Sequence, residues 1–411
     1  MLRGGLILVF LSLGFLGQAK KIEVCSTCEI SSIKKAVEVA KDGDVIFVKK
    51  GIYKENSIEI YKSITIYGEV GTIVDGSNKE GIFIISANNF TIRNLKIINV
   101  GISYIKEQSA IKVFKSNNFT IKNIVLANVY FGFLIEKSHF GKIINNTVSS
   151  LAKNEANSGN GIHIWHSSNV EVEGNEVFGM RDGIYFEFVT QSKIHNNFSH
   201  NNIRYGLHFM FSNNDTYYNN EFKNNGAGVA VMFSKFIKMY QNKFIHNWGS
   251  ASYGLLLKEI YDAEIYNNIF QENTIGIKGE GCNRINYKNN TFLRNGWAIK
   301  IAGACYANIF EYNDFLHNSL DLSYDTKVND NKFENNYWSE YTGYDLDKDG
   351  IGDIPYRPVK LFSYIVNRTP EALVLLRSLF VDIINFSEKV SPVFTPDDLM
   401  DINPVMKRIN D

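Results

Sequence analysis

The sequence predicts an all-β fold, a right-handed parallel β-helix of about twelve coils with a short N-terminal helical cap and a partly helical C-terminal tail. Three observations predict it. Asn-x-Phe-x-x-Asn begins at Asn196, Asn220, Asn242, Asn268, Asn290, Asn313 and Asn331, in steps of 18 to 26 residues. A small residue opening an alternating apolar strand recurs at Ala110, Gly132, Gly161, Gly183, Gly206, Gly228, Gly254, Gly276 and Ala298, in steps of 22 to 29. All six prolines lie at or after Pro355, as expected where nearly every strand is hydrogen-bonded above and below and cannot spare an N–H.

A beat near 22 residues with no helix-length segment inside it means coils stacking on one another. The Leu-x-x-Leu-x-Leu signature of leucine-rich repeats is absent. Asparagine tolerates left-handed backbone at turns, and stacked amides hydrogen-bond between coils; phenylalanine two residues on fills the core as an aromatic stack. Counting from Ser63 to Asn336 gives a rod of about 55–60 Å at about 4.8 Å per coil.

In chain order, residues 1–19 read as an export signal. Arg3 supplies the charge, Leu6 to Leu16 the apolar run, and Gly17-Gln18-Ala19 the small cleavage residues. The run is shorter than the roughly 20 residues of a membrane span, and Glu23 before Val24-Cys25 does not suit lipid attachment. Residues 20–61 form the cap: Ser31 to Lys41 is an amphipathic helix with Ile33, Ala36, Val37 and Ala40 on one face, followed by the strand Val45 to Val48. The β-helix covers 62–336, an acidic-loop segment 337–361, and a docking tail 362–411, in which Thr369-Pro370 starts a helix.

Forty-three basic and 43 acidic side chains cancel, which argues against a nucleic-acid partner. Four cysteines form two sets. Cys25 and Cys28 make a CxxC, read as a disulfide before a metal site in an exported protein, and Cys282 and Cys305 are one coil apart, placed for a disulfide or a stacked thiol pair.

Alternation sorts the strand residues. Ile162, Ile184, Leu207, Val229, Leu255 and Ile277 point inward, as do Ile164, Phe186, Phe209, Val231 and Leu257. One outward column is then His163, Tyr185, His208, Ala230, Leu256, and the next Trp165, Glu187, Met210, Met232, Lys258. His163, Glu187, His208, Met210 and Met232 thus share a solvent-facing strip whose imidazole and thioether groups suit cuprous copper, held transiently. An ordinary partner-binding face has the same composition.

Asp345, Asp347, Asp349 and Asp353, with Gly350, follow the spacing of a Ca²⁺ loop, with Tyr356 where a bidentate Glu belongs. A structural calcium ion or an ion-free acidic turn fits this pattern. Catalysis on a β-helix needs paired carboxylates at catalytic separation, or a Ca²⁺ and basic cluster, on an outer sheet. Asp182 and Glu187 share a coil, but its neighbours offer Arg204 and His208, so a polysaccharide lyase or hydrolase is the minority alternative.

Several segments resemble the NosD family: Arg181-Asp-Gly-Ile-Tyr-Phe-Glu, Arg204-Tyr-Gly-Leu-His-Phe-Met-Phe-Ser, Gly228-Val-Ala-Val-Met-Phe-Ser, Tyr253-Gly-Leu-Leu-Leu-Lys-Glu, Asn295-Gly-Trp-Ala-Ile-Lys, Asn336-Tyr-Trp-Ser, Tyr344-Asp-Leu-Asp-Lys-Asp-Gly, Pro355-Tyr-Arg-Pro-Val and Leu376-Arg-Ser-Leu-Phe-Val. The resemblance covers nearly the whole mature chain, and its central coils and tail are the family-specific parts. The Cys25–Cys28 pair is not among the shared motifs. The resemblance implies a non-enzymatic periplasmic factor in assembling the copper centres of nitrous oxide reductase. Its implied partners are an ABC transporter (ATPase and membrane permease), a copper chaperone and the reductase itself. The protein is expected to be exported and soluble, held at the membrane by a partner; Leu373, Leu376, Leu379, Phe380 and Ile383 are the expected docking residues.

Overall fold

The computed structural model describes residues 19–103, 106–325, 330–390 and 399–409. The export signal lies almost wholly outside them. Three parallel sheets of 14, 12 and 13 strands run the length of a β-helix. A typical coil passes from a long strand of the 12-stranded sheet (Asp182–Glu187) to short strands of the other two (Lys193–His195, Phe198–His200), and then to Tyr205–Met210 directly above the first.

The helix has about fourteen turns rather than twelve, because it starts well before Ser63. Residues 20–61 supply the first strands of all three sheets (Lys21–Val24, Gly51–Lys54, Ile58–Ile60) as well as the end-covering helix. That helix, α1 (Ile33–Val39), is shorter than the sequence suggested. Ser32 caps it, its Oγ accepting from the Lys35 N–H, and the Glu55 carboxylate accepts from the Ile33 and Lys34 N–H groups at 2.8 and 2.9 Å. Ile33, Ala36 and Val37 face the core. The strand Val45–Val48 stands where expected.

The asparagines divide the work that the sequence assigned to one residue. A buried ladder runs through Asn146, Asn175, Asn197, Asn220, Asn242, Asn268, Asn290, Asn313 and Asn336. Each Oδ1 accepts both the backbone N–H and the Nδ2–H of the asparagine below it, as in Asn242 to Asn268 at 2.9 and 3.1 Å. The left-handed backbone belongs instead to the preceding position, such as Asn219, Asn267 and Asn289 with φ of 52–55°. Asn196 was expected on the ladder, but its φ is 56° and Asn197 takes the ladder place. Asn331 pairs with Asn308 in a separate column.

Phe222, Phe244, Phe270, Phe292, Phe315 and Trp338 form the core stack, with centroids 4.0 to 5.5 Å apart. Phe198, shifted by the same one-residue slip, faces outward and stacks on His200.

The tail is helical in three pieces: α2 (Leu361–Arg368), a 3₁₀ turn (Pro370–Leu375) and α3 (Leu379–Val390). Pro370 begins the 3₁₀ turn, but the Thr369 side chain makes no cap hydrogen bond, contrary to its expected role. Phe362, Val366 and Val381 pack on Trp297 and Leu320, fixing the tail to the outer face of the 12-stranded sheet. No described helix is long and apolar enough to cross a membrane.

Candidate functional site

The inward positions are fully buried: Ile162, Ile184, Leu207, Val229, Leu255 and the row beside them. The two outward columns also have the expected register. His163 faces Tyr185, then His208, Ala230 and Leu256, while Trp165 faces Glu187, then Met210, Met232 and Lys258.

The first column was expected to be solvent-facing, and it is not. His163 is 7% exposed, His208 6%, and Ala230 and Leu256 are buried. Aromatic neighbours enclose it. The rings of Phe131, His163, Tyr185 and His208 are stacked over four coils at 6.4, 4.7 and 4.6 Å, and Tyr205 stands 4.9 Å from His208.

Polar groups line this stack. Asp182, fully buried, takes a two-pronged bond from Arg204, Nε to Oδ1 at 2.7 Å and Nη2 to Oδ2. His208 Nδ1 lies 3.4 Å from the same Oδ2. Burial works to raise the Asp182 carboxyl, but the Arg204 and His208 bonds outweigh it and hold the group below its ordinary range. The Asp182 carboxylate thus engages Nδ1, and His208 Nε2 has no partner among the described residues. Burial, then the Arg181 charge, pushes the His163 imidazole down to about 4. Burial, then Glu187, pushes the Tyr185 phenol up, and its hydroxyl donates to the Met210 sulfur at 3.7 Å.

Met210 and Met232, half-buried, lie side by side on adjacent strands. Next to them runs a feature that the sequence reading missed. Phe188, Phe211 and Phe233 have φ of 52, 51 and 54° and are 40, 37 and 40% exposed. Their rings stack at 5.1 Å, and His166 extends the row 4.6 Å beyond Phe188. Left-handed backbone on a bulky residue costs of order 1 kcal/mol or more. The signal was a phenylalanine following each of Glu187, Met210 and Met232.

Two further groups gather titratable side chains. Asp345, Asp347 and Asp349 present carboxylate oxygens within 4.8 Å of one another, an arrangement able to hold a hard cation. Asp353, expected with them, accepts instead from the Leu346 N–H at 2.7 Å, and Tyr356 is packed under Trp338. Glu171, Glu173 and His195 form a cluster not foreseen from the sequence, with His195 Nε2 3.3 Å from Glu171.

Cys25 and Cys28 form a disulfide. Cys282 and Cys305 are buried, free and stacked, with the Cys282 N–H donating to the Cys305 sulfur at 3.2 Å. Hydrogen bonding from the Cys282 thiol holds the Cys305 thiol down, whereas burial pushes that of Cys282 up. On the tail, Leu373, Leu379, Phe380 and Ile383 are exposed as expected, but Leu376 is half-buried against the Trp297 cluster.

Residues 144–343 match the family described as periplasmic copper-binding protein (NosD). Over that region, just under half of the chain, the sequence is similar to the NosD family. Residues 23–177 match the right handed beta helix region. Two relatives are each named probable ABC transporter binding protein NosD. The one from Stutzerimonas stutzeri is 27% identical over 146 residues, covering 35% of this chain and 30% of the relative. The one from Pseudomonas aeruginosa is 26% identical, covering 35% and 31%. The chain therefore spans about a third of the length of the relatives it matches.

Solved structures of similar shape include a family 28 exopolygalacturonase from Yersinia enterocolitica (13% identical, 77% of this chain and 78% of that one, TM-score 0.61). The mannuronan C-5 epimerase AlgE4 A-module of Azotobacter vinelandii is another (13%, 72% and 91%, TM-score 0.52). These share the chain's fold.

Proposed function

We propose that this protein is a non-enzymatic periplasmic maturation factor, working with an ABC transporter and a copper chaperone in assembling the copper centres of nitrous oxide reductase. The observation that carries the reading is the pairing of Met210 with Met232 beside His208. His208 Nε2 is free, and Asp182 holds the other ring nitrogen, the carboxylate–imidazole arrangement that orients a metal-binding histidine. Thioethers and a neutral imidazole suit the cuprous ion. The copper-binding description of the family and the transporter-related names of the relatives support the same reading.

In this reading the exposed Phe188, Phe211 and Phe233 row gives the chaperone an apolar margin next to the thioethers. The free face of the tail, with Leu379, Phe380 and Ile383, meets the permease. The acidic loop at Asp345, Asp347 and Asp349 has a structural role, with calcium as the hard cation that its oxygens would favour.

The test combines retrieval from membranes with metal analysis. The chain should bring down an ABC permease, and replacing Met210, Met232 and His208 together should weaken cuprous binding or hand-over from the chaperone. Cleavage of uronic-acid polymers with no permease recovered would overturn the proposal in favour of a polysaccharide-acting enzyme. Unchanged copper behaviour in the triple variant would reduce this face to ordinary surface.

A further inference from the structure

Beside the stacked rings, and apart from the His208 Nε2 assigned above, three neighbouring residues carry four buried polar atoms without hydrogen-bond partners: Asn160 Nδ2, both ring nitrogens of His163 and Arg181 Nε. Buried polar groups are overwhelmingly paired, so this concentration on two consecutive coils points to something that the chain does not itself supply. The orientation of the pair at its centre is fixed. Arg181 Nη2 donates to Asn160 Oδ1 at 3.1 Å, which leaves the Asn160 amide nitrogen and Arg181 Nε as free donors. His163, neutral and sandwiched between Phe131 and Tyr185, has one further N–H to give.

The charge balance says what fits. Arg204 is committed to Asp182 by two bonds, whereas Arg181 has no carboxylate partner among its hydrogen bonds and ion pairs here. Glu107, Glu136 and Glu187 are the acidic groups near this side of the sheet; Glu136 is engaged by Lys112 at 2.8 Å, and burial, then Glu136, raises the Glu107 carboxyl against the opposing charges of Lys112 and Arg181, neither of which bonds to it. A guanidinium and an amide N–H side by side match the two oxygens of a carboxylate. Because Asn160 and His163 are each more than nine-tenths buried, only a small group can reach them.

We infer that Arg181, Asn160 and His163 form a binding pocket for the carboxylate of a small organic acid, distinct from the Met210–Met232 face and independent of copper. The source is either a simple carboxylate or the acid group of a sugar such as a uronate. The two differ in whether the ring adds affinity by contacting Phe131 and Tyr185, the rings on either side of His163.

The experiment follows the His163 ring signals by NMR in the full mature chain during titration with sodium acetate, sodium glucuronate and, as control, glucose. Acetate and glucuronate should move the His163 signals saturably and glucose should not; tighter glucuronate binding assigns the sugar acid as the source. Arg181→Gln should weaken binding about tenfold or more, the loss expected for a charge-assisted bond, while its cuprous affinity stays at the parent value. Asn160→Asp, which puts a negative charge beside the guanidinium, should abolish binding with the fold retained by circular dichroism. Absence of a saturable response to either acid, or equal affinity in Arg181→Gln, would overturn the inference and leave the pocket to water. Failure of the copper reading would show separately, in the Met210, Met232 and His208 variant.

Discussion

Asn336 ends the longest amide ladder of the β-helix on Asp401: its backbone N–H and its Nδ2 both donate to Asp401 Oδ2 at 3.0 Å. Trp338 Nε1 donates to the same oxygen at 3.0 Å. A residue 65 positions further along thus substitutes for the next coil, which would otherwise have received those donors. Asp401→Ala leaves three buried donors unpaired and should cost about 2–4 kcal/mol of stability, at about 1–3 kcal/mol for the first such group and less for each that finds water. Chemical denaturation checks it, and an unchanged midpoint would mean that the last coil is closed without Asp401.

Asp215 gives a prediction of opposite sign. It is fully buried, Oδ1 accepts the Ser192 N–H at 2.8 Å, and Oδ2 has no partner. Burial pushes its carboxyl well above the ordinary range. A folded-state pKa above the unfolded one means that its stabilising contribution is complete below the unfolded value and fades as pH rises through the folded one. The equivalent place four coils on is taken by Asn308, whose Oδ1 accepts the Ile285 N–H and whose Nδ2 donates to the Cys282 carbonyl. Asp215→Asn should therefore raise the thermal midpoint at neutral pH, by about 1–3 kcal/mol in stability. The advantage should shrink at acid pH. Thermal melts at both pH values decide it.

The parts of the fold that the sequence shows plainly are those where one residue type is forced. A buried side-chain amide accepts from one coil while it donates to the next, so Asn220 to Asn313 mark the coils, and Phe222 to Phe315 follow two residues behind. The reading slipped at Asn196 because two adjacent asparagines, 196 and 197, can each satisfy the pattern; only the hydrogen bonds to Asn175 and Asn220 choose between them. The outward columns were legible because pleating fixes alternation. That His163 and His208 are buried was not, because it depends on Phe131 and Tyr205 leaning over the sheet. The Phe188, Phe211 and Phe233 row escaped notice because left-handed backbone is not expected of phenylalanine.

His163 should make stability depend on pH. Its imidazole is held near 4 in the fold, against 6.5 ordinarily, by burial first and the Arg181 charge second. The unfolded chain takes up its proton first as pH falls. The contribution is therefore present in full above about 6.5 and is lost on going down towards 4, by about 3 kcal/mol at most, at about 1.4 kcal/mol per pH unit. His163→Phe, which keeps a ring between Phe131 and Tyr185, should flatten this part of the stability curve. Denaturation at several pH values from 7 to 4 measures it, and an unchanged slope in the variant would assign the acid sensitivity to other groups.

The tail prediction separates docking from folding. In α3, Leu379, Phe380 and Ile383 are 74, 52 and 55% exposed, whereas Val381 is buried against Trp297, Leu320, Phe362 and Val366. In the proposed function, this exposed apolar row, on a helix already anchored by its other face, is the surface that meets the permease. Replacing the three exposed residues by serine removes little buried area, so stability should change by no more than about 0.5 kcal/mol for each exposed site. Recovery of the permease from membranes should fall steeply. Val381→Ser should do the reverse in stability, costing about 1–3 kcal/mol by opening the Trp297 cluster, and would loosen the tail as a whole. Undiminished recovery from the triple-serine variant, with its melting behaviour intact, would move the transporter contact away from α3 and onto the rod.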